Sequence, residues 1–324
     1  MSLSPHVSRP ISNRWRPLFI AAAIPILAGR GITTTSATDG AENVVGTTGQ
    51  VSDLLRNVGG DLLNVHGLMG PGVDPHLFKA SEQDVIALID ADAIFYSGLH
   101  LEGTLGEVLE QLGKRSPVAA AGEGVPTEEL IRPEDDAFDG NPDPHFWFDP
   151  VLWSYAADHF AHALAELDES HAETYLENAE AYRVQLAELD EYARQQFAKV
   201  PERSRILVTA HDAFGYLGRR YNLRVVGLQG ISTATEAGVR DVQTIADLLV
   251  ENQVQAIFVE TSVPERTIEA VQVAAADRGW NVEIGGSLYS DAMGEEDTEE
   301  GTYVGMMRYD VDTIVTGLSG ETSS

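Results

Sequence analysis

The 324-residue chain contains no cysteine. That absence excludes disulfides, thiolate nucleophiles, zinc fingers and iron–sulfur clusters, so any bound metal must be held through nitrogen and oxygen. Basic residues are also scarce: 21 Lys and Arg stand against 51 Asp and Glu, a formal net charge of −30. A surface of that sign repels nucleic acid and anionic membranes and disfavours both as partners. It reads instead as an acidic solvation shell of the halophile kind, suited to high salt, where screening is short-ranged, with attraction of cations by the whole surface as the alternative. Catalytic signatures are missing as well. There is no G-x-S-x-G elbow, Walker A loop, H-E-x-x-H pair or Rossmann glycine fingerprint.

The apolar run LFIAAAIPILA, Leu18 to Ala28, is eleven residues long, short of the ~20 that a membrane span needs. Arg14 and Arg16 precede it and GRGITTTSATDG follows, the basic, apolar, then small and polar layout of an export signal. Residues 1–41 are therefore read as export signal and linker, and the protein as extracytoplasmic, in a periplasm or at the outer face of the cell membrane. Leu27 to Gly29 resembles the start of a lipoprotein cleavage box, but Arg30 stands where the lipid-bearing cysteine would be. A lipid anchor is not expected there.

From Glu42 onward, short apolar runs alternate with helical patterns: ENVVGTTG, QVSDLLRNVGG, DLLNVHGLM, SEQDVIALIDA, DAIFYSG. The alternation restarts after Ser204 with RILVTA, AFGYLGRRY, RVVGLQG and AIFVE. Such a rhythm predicts an α/β fold with parallel sheets, arranged as two Rossmann-like lobes. Between them, His171 to Val200 holds neither Gly nor Pro. Its apolar residues Tyr175, Ala179, Tyr182, Leu186, Leu189, Ala193, Phe197 and Val200 recur every three or four positions, which predicts one long helix with a single apolar stripe. A strut against both lobes or a coiled-coil partner would each cover it. The expected division is a 42–168 lobe, a 169–203 connecting helix and a 204–324 lobe.

The chain has nine histidines, and two sit in the same tripeptide, in GVDPHLF and in NPDPHFWF. Proline fixes its own φ and restrains the residue before it, so both imidazoles come from stiff turns. In parallel α/β folds, ligands bind beyond the carboxyl ends of the strands. His76, His145, His211 and Asp291 all fall in such loops, two per lobe, where they can converge on one interlobe cleft. Three imidazoles and one carboxylate suit Zn²⁺, and Mn²⁺ if the carboxylate binds through both oxygens. Imidazole must be neutral to coordinate, so affinity is expected to fall below about pH 6.5. His100, in YSGLHLEG, also follows a strand, at what reads as a lobe edge, whereas His66, His159, His162 and His171 read as strand, packing or surface residues. GVPTEELIRPEDDAFDGNPD is acidic and reads as a solvated loop over the cleft mouth.

VVGTTGQVSDLLRNVGGD, DPHFWFDP, HDAFGYLGRRYNL, GLQGISTATEAG and IGGSLYSDAMGEEDTEEGTYVGMM resemble the zinc/manganese substrate-binding proteins of metal ABC importers, the ZnuA- and TroA-like family, with the last segment most similar to the TroA branch. The resemblance covers nearly all of the chain after residue 43. It implies two α/β lobes joined by one long helix, a metal between them, and His76, His145, His211 and Asp291 as its ligands. It also implies a monomer that delivers metal to an ABC permease and its ATPase. His211 stands where manganese-selective members tend to carry glutamate, and the loop before His145 lacks the histidines that zinc-selective members often have. A metallohydrolase using the same histidines, with Asp291 or Glu260 as general base, and an adhesin-like surface scavenger are the alternative readings.

Overall fold

The computed structural model describes residues 41–133, 138 and 140–320. The expected export segment, with Arg30, lies outside the described residues, as does part of the acidic loop before His145.

The N-terminal lobe is built on a four-stranded parallel sheet. Its strands are β1 (Glu42–Gly46), β2 (Leu63–Gly67), β3 (Ala93–Tyr96) and β4 (Val118–Ala120), in the order β2-β1-β3-β4. The connecting helices are α1 (Gly49–Gly59), α2 (Glu82–Asp90) and α3 (Gly106–Leu112). Helix α2 starts where the sequence reading places it: Ser81 caps the Asp84 amide while the Asp84 carboxylate returns to the Ser81 N–H, a capping box. With this strand order the crossovers diverge between β1 and β3, so the loops after those strands leave a crevice at the sheet's carboxyl edge.

Helix α4 (Pro150–Leu167) closes this lobe. Asp149 is its N-cap and Pro150 occupies its first turn, where a missing N–H costs nothing. Helix α5 (Ala172–Phe197) then runs 26 residues without a break, a rod of about 39 Å at 1.5 Å per residue. Every member of the expected stripe from Tyr175 to Val200 is buried. The stripe lies against α4, α1 and the C-terminal helix α9 (Tyr303–Ser319). It is consumed within the chain, as the strut reading requires, and the coiled-coil alternative loses its apolar face.

The C-terminal lobe carries β5 (Ile206–His211), β6 (Arg224–Gln229), β7 (Ala256–Glu260) and β8 (Glu283–Leu288), with α6 (Gly215–Tyr221), α7 (Val239–Asn252) and α8 (Arg266–Ala276). Among the described residues these strands form two parallel ladders, β5-β6 and β7-β8, with β5 beside β7. A register shift at Ile257/Phe258 interrupts the second ladder. No helix of the described residues is long and apolar enough to cross a membrane.

Candidate metal centre

Each of the four expected residues reaches the same point from a different strand end or loop. His76 lies in the turn after β2, and His145 in the segment between β4 and α4. His211 is the last residue of β5, and Asp291 follows β8. One ligand-type atom from each lies within 4.8 Å of all the others, and all four residues are buried. His145 Nε2 is 3.3 Å from Asp291 Oδ1, His211 Nε2 is 3.3 Å from Asp291 Oδ2, and the Nε2 atoms of His76 and His145 are 3.4 Å apart.

The two Asp-Pro-His copies fold alike. Proline offers no N–H, so the next backbone donor belongs to the histidine, and the aspartate turns back to accept it. His76 N donates to Asp74 Oδ1 at 2.9 Å, and His145 N to Asp143 Oδ1 at 2.9 Å. In the second copy the same Asp143 oxygen also takes the ring Nδ1 at 2.7 Å. His211 is held equivalently by Glu260, one oxygen on its backbone N–H at 2.8 Å and the other on Nδ1 at 2.5 Å. A carboxylate that backs one ring nitrogen fixes the proton there and leaves the lone pair on the other.

With the imidazoles neutral, as coordination requires, the consequence is a cluster of acceptors facing acceptors. His211 Nε2 and both oxygens of Asp291 are buried and find no hydrogen-bond partner. Unpaired polar atoms in a dry interior are costly, and a cation at their centre satisfies all of them. Without a metal, protons compete for the same atoms, and the surrounding carboxylates decide which rings hold them. Burial would lower His145, yet Asp143 and Asp291 overcome it and push the imidazole up to about 9. Burial opposes the charging of His211 too, but Glu260 and Asp291 raise it well above its usual range. Asp291, against burial, is held well below the ordinary carboxylate range by His211 and His145. Burial and then the neighbouring imidazoles lower His76 to about 3, despite Asp291. The donor set of imidazole nitrogens and carboxylate oxygens therefore fits a borderline divalent transition-metal ion.

The loops behind the centre are tied down. Buried Glu102 accepts from Thr47 Oγ1 at 2.7 Å, Ser97 N at 2.7 Å and Gly98 N at 3.1 Å, joining the loops after β1 and β3. Thr104 of the same segment donates to the Phe78 carbonyl, beside His76. Tyr216 of α6 accepts from Ile131 N at 3.0 Å and donates to the Asp143 carbonyl at 2.8 Å, which docks the described base of the acidic loop on the C-terminal lobe.

His100 is exposed and takes no part in the cluster, and His66, His159, His162 and His171 lie outside it as well. Sequence reasoning overlooked Asp74 and Asp143 as supports, although both stand in the tripeptides that drew attention to the histidines. Glu260 enters the sequence reading only as the general base of the hydrolase alternative. Both of its oxygens are engaged by His211 and the residue is buried, so its role is to orient that imidazole.

Two α/β lobes, one connecting rod and a closed three-imidazole, one-carboxylate centre between the lobes define a bilobal solute-binding protein rather than an enzyme. The family profile described as "Zinc-uptake complex component A periplasmic" matches residues 44–317. The chain belongs to that ZnuA family. It is 46% identical over 305 residues to the manganese-binding lipoprotein MntA of Bacillus subtilis (strain 168), covering 93% of this chain and 98% of that protein. It is 44% identical over 284 residues to the zinc-binding protein TroA of Treponema pallidum (strain Nichols), covering 88% and 91% respectively. The solved structure of the periplasmic zinc-binding protein TroA from Treponema pallidum superposes with a TM-score of 0.83 at 43% identity, over 86% of this chain and 100% of that one. These relatives are binding proteins, and the hydrolase reading has no support among them.

Proposed function

We propose that the protein captures one divalent transition-metal ion, zinc or manganese, outside the cytoplasmic membrane and delivers it to an ABC permease coupled to an ATPase. The ion is cargo, held by His76, His145, His211 and Asp291. The observation that carries this is the convergence of four buried side chains whose ligand-type atoms lie within 4.8 Å of one another, with His211 Nε2 and both Asp291 oxygens left without a hydrogen-bond partner. A ring of protein ligands without an open water position grips and releases, whereas a catalytic zinc keeps one position free. Three nitrogens favour zinc, and the two free oxygens of Asp291 leave manganese possible at a higher coordination number. MntA, named for manganese, and TroA, named for zinc, bracket that choice.

The remaining assignments belong to the same reading. The protein acts as a monomer, exported by the segment before residue 42, without a lipid at Arg30. Residues 42–168 and 204–324 are the metal-binding lobes, and 169–203 connect them. The test is elemental analysis of protein purified without added metal or chelator. About one equivalent of zinc or manganese in the parent, lost in a His145→Ala/Asp291→Ala double variant, is the expected result. A metal-free parent that also takes up neither ion on dialysis would sink the reading.

A further inference from the structure

The two Asp-Pro-His turns differ in one respect that bears on how the ion leaves. Asp143 gives its Oδ1 to both the backbone and the ring of its own histidine. Asp74 gives Oδ1 to the His76 N–H, but its Oδ2 accepts from Thr233 Oγ1 at 2.6 Å. Thr233 lies beyond β6, on the opposite lobe, and is buried. The carboxylate that could have backed the His76 ring instead reaches across the cleft. No carboxylate among the described residues lies within ion-pair reach of His76 Nδ1, whereas His145 and His211 each have one.

His76 is also the ligand nearest to solvent. It is 5% exposed, against 0% for His145 and His211 and 2% for Asp291. The next residue, Leu77, is 52% exposed. The loop that carries His76 also approaches the C-terminal lobe at Gly72, where an added Cβ would lie 3.5 Å from the Thr261 carbonyl oxygen. One ligand thus has no support behind its ring, sits at the rim of the centre, and is held in place by a hydrogen bond from the other lobe.

The geometry points to Asp74 and Thr233 as positioning residues that set how long the ion stays: their contact keeps His76 turned inward, and its rupture lets His76 withdraw first. This rests on the metal-binding reading above and extends it to the order of release. A hydrogen bond to a charged oxygen resists separation of the lobes, and the weakest-supported imidazole is the one such a separation carries away. His145, His211 and Asp291 keep their supports while this happens.

Stopped-flow transfer of zinc from the loaded full chain to an excess of chromophoric chelator tests the assignment. Thr233→Val removes the hydroxyl and keeps the shape, and Thr233→Ser keeps the hydroxyl. Thr233→Ala reads the same loss should valine not be accommodated. Release should be about tenfold faster for Thr233→Val and within about twofold of the parent for Thr233→Ser, with one zinc per chain kept in each. In a His76→Ala background, Thr233→Val should change the rate by less than about twofold, because the contact acts through that ring. Equal release from the parent and the valine or alanine variant overturns the assignment, as does an undiminished effect without His76. A parent that takes up neither zinc nor manganese overturns the metal-binding reading instead.

Discussion

His211 meets a carboxylate on each side: Glu260 at Nδ1 and Asp291 at Nε2. From sequence, replacing it with glutamate narrows the preference for zinc over manganese, because one nitrogen gives way to hard oxygens. The structure alters that expectation. His211→Glu would set a second anion against Glu260 in a site with 0% side-chain exposure on both partners, so the single variant should weaken both metals by at least about tenfold. Adding Glu260→Gln removes the repulsion and should restore manganese more than zinc. Competition titrations decide it, and a gain of manganese affinity in the single variant would refute the account. The same carboxylates set the pH dependence. Metal and proton compete for Nε2, and below its pKa the proton holds it, so affinity falls with falling pH. For His145 that decline begins near 9, well above the value for an unperturbed imidazole. With His211 raised in the same direction, binding at pH 7 should expel about two protons. Calorimetry in two buffers of different ionisation enthalpy measures the number, and a buffer-independent heat would contradict it.

Helix α5 was readable in full because its signal is repetitive: eight apolar residues at a constant interval outweigh any local preference. The strands and most helices were legible for the same reason. Helix α9 was not. Its sequence, YVGMMRYDVDTIVTGLS, mixes two glycines with β-branched residues and reads as a poor helix former. Packing demands those glycines: a Cβ on Gly317 would lie 2.7 Å from the Phe258 ring, and one on Gly305 would collide with the Glu299 carbonyl. The four converging residues were legible because their positions follow from strand ends. Their supports were less so, since backing His211 by Glu260 depends on β5 lying beside β7, a relation that spacing does not encode. The strut also predicts a mutational outcome. Leu186 is 1% exposed at the middle of the stripe, so Leu186→Ala should cost about 2–5 kcal/mol. Because α5 meets α1, α4 and α9, the loss should appear as one shifted urea transition. Two separate transitions would show that the lobes unfold independently.

At the scale of the molecule, the charge is the dominant feature. With 51 acidic and 21 basic residues, self-repulsion works against the folded state, and among the described residues the ion pairs that offset it are few and mostly exposed, such as Arg56–Glu296 and Arg278–Asp247. Exposed pairs contribute little. Raising sodium chloride from about 0.01 M to 1 M shortens the Debye length from about 30 Å to about 3 Å. The melting temperature of the metal-free protein should therefore climb by several degrees over that range, equally with potassium chloride. A flat response would mean that the acids are already compensated. Calorimetry or circular dichroism at several salt concentrations reads this directly.

The acidic exterior and the nitrogen-rich interior divide one task by time. A field of this sign gathers every cation, calcium and magnesium as readily as zinc, so the outside governs only how often an ion arrives. Choice begins where water is stripped away, at imidazoles that hard alkaline-earth ions bind poorly. In brine the first contribution is screened to nothing while the second, sealed from solvent, persists. The protein would then become a slower collector without becoming a less discerning one.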